Sequence, residues 1–245
     1  MADCDLFAEE NSYPINSNEI RVNMKKVIIL NGSPRKNFNT AMLLKEAQRG
    51  AESVGAEAEY FNLYDYKFKG CLSCFSCQRK GSTTHGVCAI KDDIQPILEK
   101  CVAADAIILG SPVYFSYPSG VFRCFLERLL FANHTYMVDK EKGGLKRRLD
   151  RIIPTGVIFT MNCPEELAGR IHYDILMGES VKNLEHIMGY AEGLYSYDTL
   201  QFNDYSKYNC DLFDPAHKKE MREKQFPKDM ERAFELGKRL VEMKF

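Results

Sequence analysis

A doubly wound α/β domain, a parallel sheet covered by helices on both faces, is the fold class this sequence predicts. Three observations carry it. Short, continuous apolar runs recur along the chain, as strands buried on both faces of a parallel sheet require. Segments with apolar residues at helical spacing separate those runs. The first and third runs also end in matching turns, Gly32-Ser33-Pro34 and Gly110-Ser111-Pro112. Sheets of this class take their ligands beyond such strand ends, where the strand order reverses.

Lys25 to Leu30 is the first strand. After a loop from Asn31 to Asn39, Thr40 to Val54 reads as a helix, with Ala41, Leu43, Leu44, Ala47 and Ala51 on one face and Gly55 as its stop. Glu57 to Leu63 is the second strand, and Tyr64 to Ile90 shows little periodicity. Asp92 to Val102 is helical through Ile94, Ile97, Leu98 and Val102. Ala104 to Leu109 is the third strand, and Ser119 or Gly120 opens a helix running to about Phe131. A charged loop, 139–151, leads to the fourth strand, Ile152 to Phe159. Glu165 to Tyr190 is a long helix with a break near Gly178. Ala191 to Phe202 is the fifth strand, and Lys228 to Met243 an amphipathic helix. Five strands make the flavodoxin-like order 2-1-3-4-5, in three layers, the natural choice. The expected organisation is an N-terminal extension, 1–24, then a ligand-binding domain, 25–204, with a cysteine-rich insertion at 68–90. A C-terminal extension, 205–245, packs its helix on the same domain.

Composition excludes several function classes. An apolar content of 45% and a charged content of 27% are ordinary for a globular protein. A net charge of −1 provides no global drive toward nucleic acid or an anionic membrane. No apolar run is long enough to span a bilayer, and Met1 to Asn11 has neither the basic nor the apolar region of a secretory leader. Nine cysteines, an odd number in a chain of 245 residues, do not read as a disulfide scaffold. A reducing, cytoplasmic location is expected.

The loop after the first strand has the makings of an anion site. Gly32 permits a tight turn, Ser33, Asn39 and Thr40 offer short donors, and the free N–H groups of the following helix favour negative charge. Arg35 adds a charge-assisted contact. Neither Gly-x-x-x-x-Gly-Lys-Ser/Thr nor Gly-x-Gly-x-x-Gly is present, which disfavours a triphosphate loop and a dinucleotide site. The plainer alternative is that Asn39 or Thr40 only caps the helix. In the loop after the third strand, Tyr114 and Phe115 stand where a flat ring would stack.

Cys71, Cys74 and Cys77 are spaced so that three thiols can meet at one centre, and Cys88 can close a tetrahedral set. Three readings stand side by side: an iron–sulfur cluster, zinc, or free redox-active thiols. His85 lies within this loop as a further donor or a solvated side chain. Cys101 and Cys124 fall on helix patterns and read as core, while Cys4, Cys163 and Cys210 lack partners at ligand spacing. The basic run Lys140, Lys142, Lys146, Arg147, Arg148 and Arg151 is either a solvated face or a contact for an anionic phosphate or acidic partner.

Asn31-Gly32-Ser33-Pro34-Arg35 with Asn39-Thr40, the cysteine stretch closing on Cys88-Ala89-Ile90-Lys91-Asp92-Asp93, and Ser111-Pro112-Val113-Tyr114-Phe115 ahead of Arg123 to Arg128 resemble one family. It is the flavodoxin-like NAD(P)H-dependent FMN reductases, in particular their iron–sulfur flavoprotein branch, and the likeness covers roughly residues 25–200. It implies FMN as cofactor, with Ser33, Arg35, Asn37, Asn39 and Thr40 on the phosphate. Pro112, Val113, Tyr114 and Phe115, with Thr160, would then line the ring. It implies a [4Fe-4S] cluster on Cys71, Cys74, Cys77 and Cys88, although ten residues separate the last two, more than in that branch. NAD(P)H would be co-substrate, passing hydride to the flavin. A quinone, another flavin, the cluster or a protein would accept the electrons, with no catalytic side chain and with a dimer or tetramer as the working form. Two rival readings are a non-enzymatic electron carrier reduced by a partner protein, and a cysteine-based module with a vestigial flavin site.

Overall fold

The computed structural model describes residues 24–245 apart from His85 and Lys142. The expectations for the N-terminal extension, Cys4 and His85 therefore lie outside the described residues. The strands are β1 (Lys26–Asn31), β2 (Glu57–Asn62), β3 (Ala106–Tyr114), β4 (Tyr117–Pro118), β5 (Thr155–Thr160) and β6 (Ala191–Ser196). The helices are α1 (Asn39–Ser53), α2 (Gln95–Ala103), α3 (Gly120–Asn133), α4 (Glu165–Arg170), α5 (Tyr173–Met188), α6 (Pro215–Lys224) and α7 (Phe226–Glu242).

The main strands pair in parallel in the order β2-β1-β3-β5-β6, while β4 folds back antiparallel on the end of β3. With that ribbon set aside the order is the expected 2-1-3-4-5. Successive residues of the central strands face opposite layers, as the pleat dictates. Ile28, Leu30, Ile107, Leu109, Val157 and Phe159 join buried residues of α2, α3 and α5. Val27, Ile29, Ala106, Ile108 and Ile158 join those of α1 and α7. Both faces are covered, which is why these strands read as unbroken apolar runs.

The layer formed by α1 and α7 depends on two small residues. A Cβ on Gly50 of α1 would stand 1.9 Å from the Phe234 carbonyl oxygen, and one on Gly237 of α7 would stand 1.9 Å from that of Ala47. The helix backbones approach too closely there for any side chain.

Three local expectations are corrected, and one helix is added to them. The break in the fourth helical segment falls at Ile171 and His172, where His172 adopts φ 60°, and Gly178 sits inside α5. An interior glycine weakens a helix without ending it. Strand β6 stops at Ser196, because Asp198 takes φ 54° and turns the chain away. Helix α6 escapes detection because it has no apolar face; its one buried side chain is Lys218. Much of the basic run is structural. Arg148 donates to the carbonyls of Cys77 and Ala132 at 2.6 and 3.1 Å, and Arg151 to those of Val102 and Ala104 at 3.0 and 2.6 Å. Three of these carbonyls, those of Val102, Ala104 and Ala132, lie at the C-terminal ends of α2 and α3, where the helix dipole favours a cation.

Candidate functional site

A crevice of about 650 Å³ opens at the carboxyl ends of β1, β3 and β5. Ser33, Arg35, Asn39, Thr40, Pro112, Val113, Tyr114, Phe115 and Thr160 line it. Asn37 does not. It is exposed, and its Oδ1 accepts from Lys45 Nζ at 2.9 Å.

The two strand-end loops are held as one unit. Gly32 N–H donates to the Gly110 carbonyl at 2.8 Å, and Ser119 Oγ donates to the Gly32 carbonyl at 2.6 Å. Ser119 also caps α3, accepting from Phe122 N–H at 3.3 Å. A side chain on Gly32 would meet Phe122 Cβ at 2.9 Å and the Gly110 oxygen at 3.0 Å. Asn31 Oδ1 accepts from Ser33 N–H at 3.0 Å, which shapes the turn.

Helix α1 starts uncapped. Phe38 flanks it, no side chain bonds its first turn, and Asn39 and Thr40 are its first two residues. Neither residue is therefore a cap, and the first-turn N–H groups at the crevice wall are available to an anion. The Asn39 side chain is already engaged: Nδ2 donates to the Leu200 carbonyl at 2.8 Å, and Oδ1 accepts from Arg222 at 3.1 Å. Arg35 gives one arm to the Gln201 carbonyl at 2.7 Å and stacks 4.0 Å over Phe38. Thr40 and Thr160 share a buried hydroxyl contact of 2.7 Å. The groups left for an anion are main-chain N–H groups, the Ser33 and Thr40 hydroxyls, and the rest of the Arg35 fork.

Sequence reasoning missed a wall. Thr199, Leu200 and Gln201 from the loop after β6, with Leu212 and Phe213 ahead of α6, also line the crevice. Reading β6 through Phe202 concealed that loop. A buried ion cluster holds it in place. Lys218 is paired with Asp198 Oδ1 and donates to the Asn162 carbonyl at 2.6 Å, and His217 lies 2.6 Å from Asp198 Oδ2. Asn162 donates to Gln201 Oε1 at 2.6 Å, while its own Oδ1 is buried without a partner on the crevice wall.

At the mouth, β3 and β4 form a hairpin whose two-residue turn, Phe115-Ser116, has φ of 47° and 73°. Positive φ at both positions is the type I′ geometry, usually assigned to Asn-Gly. Here it holds Phe115 97% exposed.

The second assembly lies farther along α3. Ser119 caps that helix at the crevice and Arg128 is nine residues on, roughly 13 Å along the axis. Cys71, Cys74, Cys77 and Cys88 all line one small cavity with Arg128. Left-handed Ser73 and Phe75, with φ of 50° and 55°, curl the segment around this cavity; Cys77 and Cys88 are buried, Cys71 is half-buried and Cys74 is exposed. Among the described residues no group of three or more Cys, His, Asp or Glu is placed to hold a metal ion. The sulfurs share a cavity without converging. Arg128, 1% exposed, donates to Asp92 Oδ2 at 2.5 Å and to the Ile90 carbonyl at 3.0 Å. Its Nε is buried with no partner. Burial opposes its charge, yet the Asp92 carboxylate and the neighbouring Cys88 hold its pKa above the ordinary arginine value. Four thiols and a buried guanidinium with one donor, Nε, left without a partner suit an anionic, thiolate-ligated centre.

The thiols differ in reactivity. The Ser76 main-chain and side-chain hydrogen bonds lower the pKa of exposed Cys74, whereas burial and then Cys88 raise that of Cys77. Burial alone raises that of Cys101, fully enclosed in the core as expected. Iodoacetamide at neutral pH is expected to label Cys74 of the metal-free protein first among the described cysteines and to spare Cys101 until unfolding. Peptide mass mapping over time reads the order, and early labelling of Cys101 contradicts it.

The family profile described as NADPH-dependent FMN reductase matches residues 25–145. An iron-sulfur flavoprotein of Methanocaldococcus jannaschii is 40% identical over 119 residues, 49% of this chain and 59% of that protein. One of Archaeoglobus fulgidus is 39% identical over 103 residues, 42% of this chain and 48% of its own length. The chain thus spans about half of the length of the curated relatives it matches. An NAD(P)H:quinone oxidoreductase from Methanothermobacter marburgensis shares the fold, with a TM-score of 0.61 and 18% identity over 91% of this chain and 100% of that one. By its turn sequences, its strand order and this match over residues 25–145, just under half of the chain, the protein is similar to the NADPH-dependent FMN reductase family and, among its members, to the iron-sulfur flavoproteins.

Proposed function

We propose that the protein is an FMN-dependent oxidoreductase that takes electrons from NAD(P)H and passes them to a quinone, a flavin or another acceptor, with a [4Fe-4S] cluster on Cys71, Cys74, Cys77 and Cys88 as relay. The observation that carries the reading is the uncapped first turn of α1 opening on a crevice at the β1/β3 switch point. The first-turn N–H groups, Ser33, Thr40 and Arg35 would hold the phosphate. Pro112, Val113, Tyr114 and Phe115 would bound one side of the ring, and Thr160 with the Asn162 loop the other. Bound FMN supplies hydride acceptance from a reduced nicotinamide and delivery of one or two electrons onward. The side chains bind, orient and shield, and none is required as acid or base. For the relay, the support is the donor set around one cavity and the names of the relatives. Phe115 and Tyr117, exposed at the crevice mouth, fit the contact face of a homo-oligomer. Free thiols throughout the described residues fit a reducing, cytoplasmic setting.

Titration of the flavin-free protein with FMN and with riboflavin tests the reading. Several charge-assisted bonds to the phosphate predict that FMN binds at least about a hundredfold tighter. Equal affinities would refute the phosphate site. Anaerobic mixing with NADPH or NADH should then bleach the flavin band; a bound flavin that stays oxidised favours the carrier reduced by a protein partner.

A further inference from the structure

Arg128 is engaged by neither the crevice nor the strand-end loops, yet it is the largest of the fully buried side chains. Its guanidinium is divided between two tasks. One edge is tied to protein: Nη1 to Asp92 at 2.5 Å and Nη2 to the Ile90 carbonyl at 3.0 Å. The other edge, Nε, has no partner although it is shut off from solvent. An ionised donor left unpaired inside a protein is costly, and this one belongs to the residue that shares a cavity with the four cysteines. The surrounding backbone adds to the arrangement. Ile90, whose carbonyl orients the guanidinium, follows Cys88 by two residues, and Asp92 by four. The arginine therefore ties the fourth cysteine's segment to α3.

We propose that Arg128 is the positioning residue and electrostatic partner of the thiolate-held centre: it pins the Cys88 segment against α3 and presents a buried positive charge, through Nε, to the sulfurs. The inference rests on the cluster reading above and goes beyond it by assigning a tuning residue on α3. Thiolate ligation makes the centre anionic, and reduction adds one more negative charge. A cation held in a poorly solvated pocket favours that extra electron. Asp92 acts in the opposite sense, since its carboxylate partly cancels the guanidinium. The two residues therefore predict potential shifts of opposite sign.

The test uses the anaerobically reconstituted full chain, with iron and acid-labile sulfide counted first, followed by a spectroscopic redox titration. Arg128→Met is expected to make the centre harder to reduce by at least tenfold in the reduction equilibrium, about 59 mV for one electron. Asp92→Asn is expected to make it easier to reduce. Arg128→Lys, which keeps the charge and loses the fork, should keep most of the wild-type potential while binding less iron. If Arg128→Met does not fold, Asp92→Asn and Arg128→Lys carry the test. Folded variants with full iron content and an unchanged potential overturn the inference. Wild-type protein that takes up no iron overturns the cluster reading itself, an outcome separable by the iron count.

Discussion

Alanine at Gly237 is expected to destabilise the protein by roughly 3 kcal/mol, at the upper end of what overpacking typically costs. Helix propensity alone predicts the reverse, since alanine is about 1 kcal/mol better than glycine inside a helix. The contact decides the sign. The added Cβ would meet the Ala47 carbonyl oxygen at 1.9 Å, and that atom is main chain in the middle of α1. It cannot turn aside as a side-chain tip would, so the helices must part and lose packing against the sheet. Gly50→Ala meets the Phe234 carbonyl at the same 1.9 Å and should cost a similar amount. The double substitution should cost less than the sum, because one separation relieves both clashes. Gly178→Ala is the control: nothing lies within 4 Å of its Cβ position, and a gain of up to about 1 kcal/mol is expected. Urea unfolding midpoints read all four. A Gly237→Ala protein as stable as the parent would refute the close-approach argument.

Asp198→Asn is expected to cost roughly 3 to 5 kcal/mol, the range for removing one partner of a buried pair. Lys218 is 1% exposed and would keep only uncharged partners, the Asn162 carbonyl, the asparagine side-chain oxygen and the Phe213 ring 4.6 Å away. The substitution isolates the charge, because asparagine accepts the left-handed backbone that Asp198 adopts at φ 54°. Combining it with Lys218→Met removes the stranded ammonium and should recover much of the loss. FMN affinity should follow stability, since this pair anchors the loops carrying Asn162 and Gln201 along the crevice. Thermal midpoints and flavin titrations of the single and double variants check both parts. A double variant no more stable than Asp198→Asn would show that the lost stability does not come from an uncompensated charge.

Much of the fold was legible because it rests on local rules. Unbroken runs such as Val27 to Leu30 and Ala106 to Leu109 are buried on both faces, and that requirement leaves a direct mark on composition. The turns after β1 and β3 carry their geometry in Gly32, Asn31 and Ser119, so the crevice and the part of its lining that these turns supply could be named in advance. Helix α6 could not. Its role depends on a single lysine reaching a carboxylate twenty residues earlier in the chain, and no periodicity records such a contact. The same holds for Leu200 and Gln201, which reach the crevice through main-chain carbonyls available to any residue type.

By itself the sequence determined the strand order, the anion-ready turn and the four thiols within one segment, since each follows from residue type and spacing. Only the tertiary structure decided that Asn39 turns its amide toward Arg222 and Leu200, that Arg128 keeps a partnerless Nε beside the cysteine cavity, and that α1 and α7 meet at two glycines. Those outcomes depend on which surfaces the folded chain brings together, and long-range contact is not encoded at any single position.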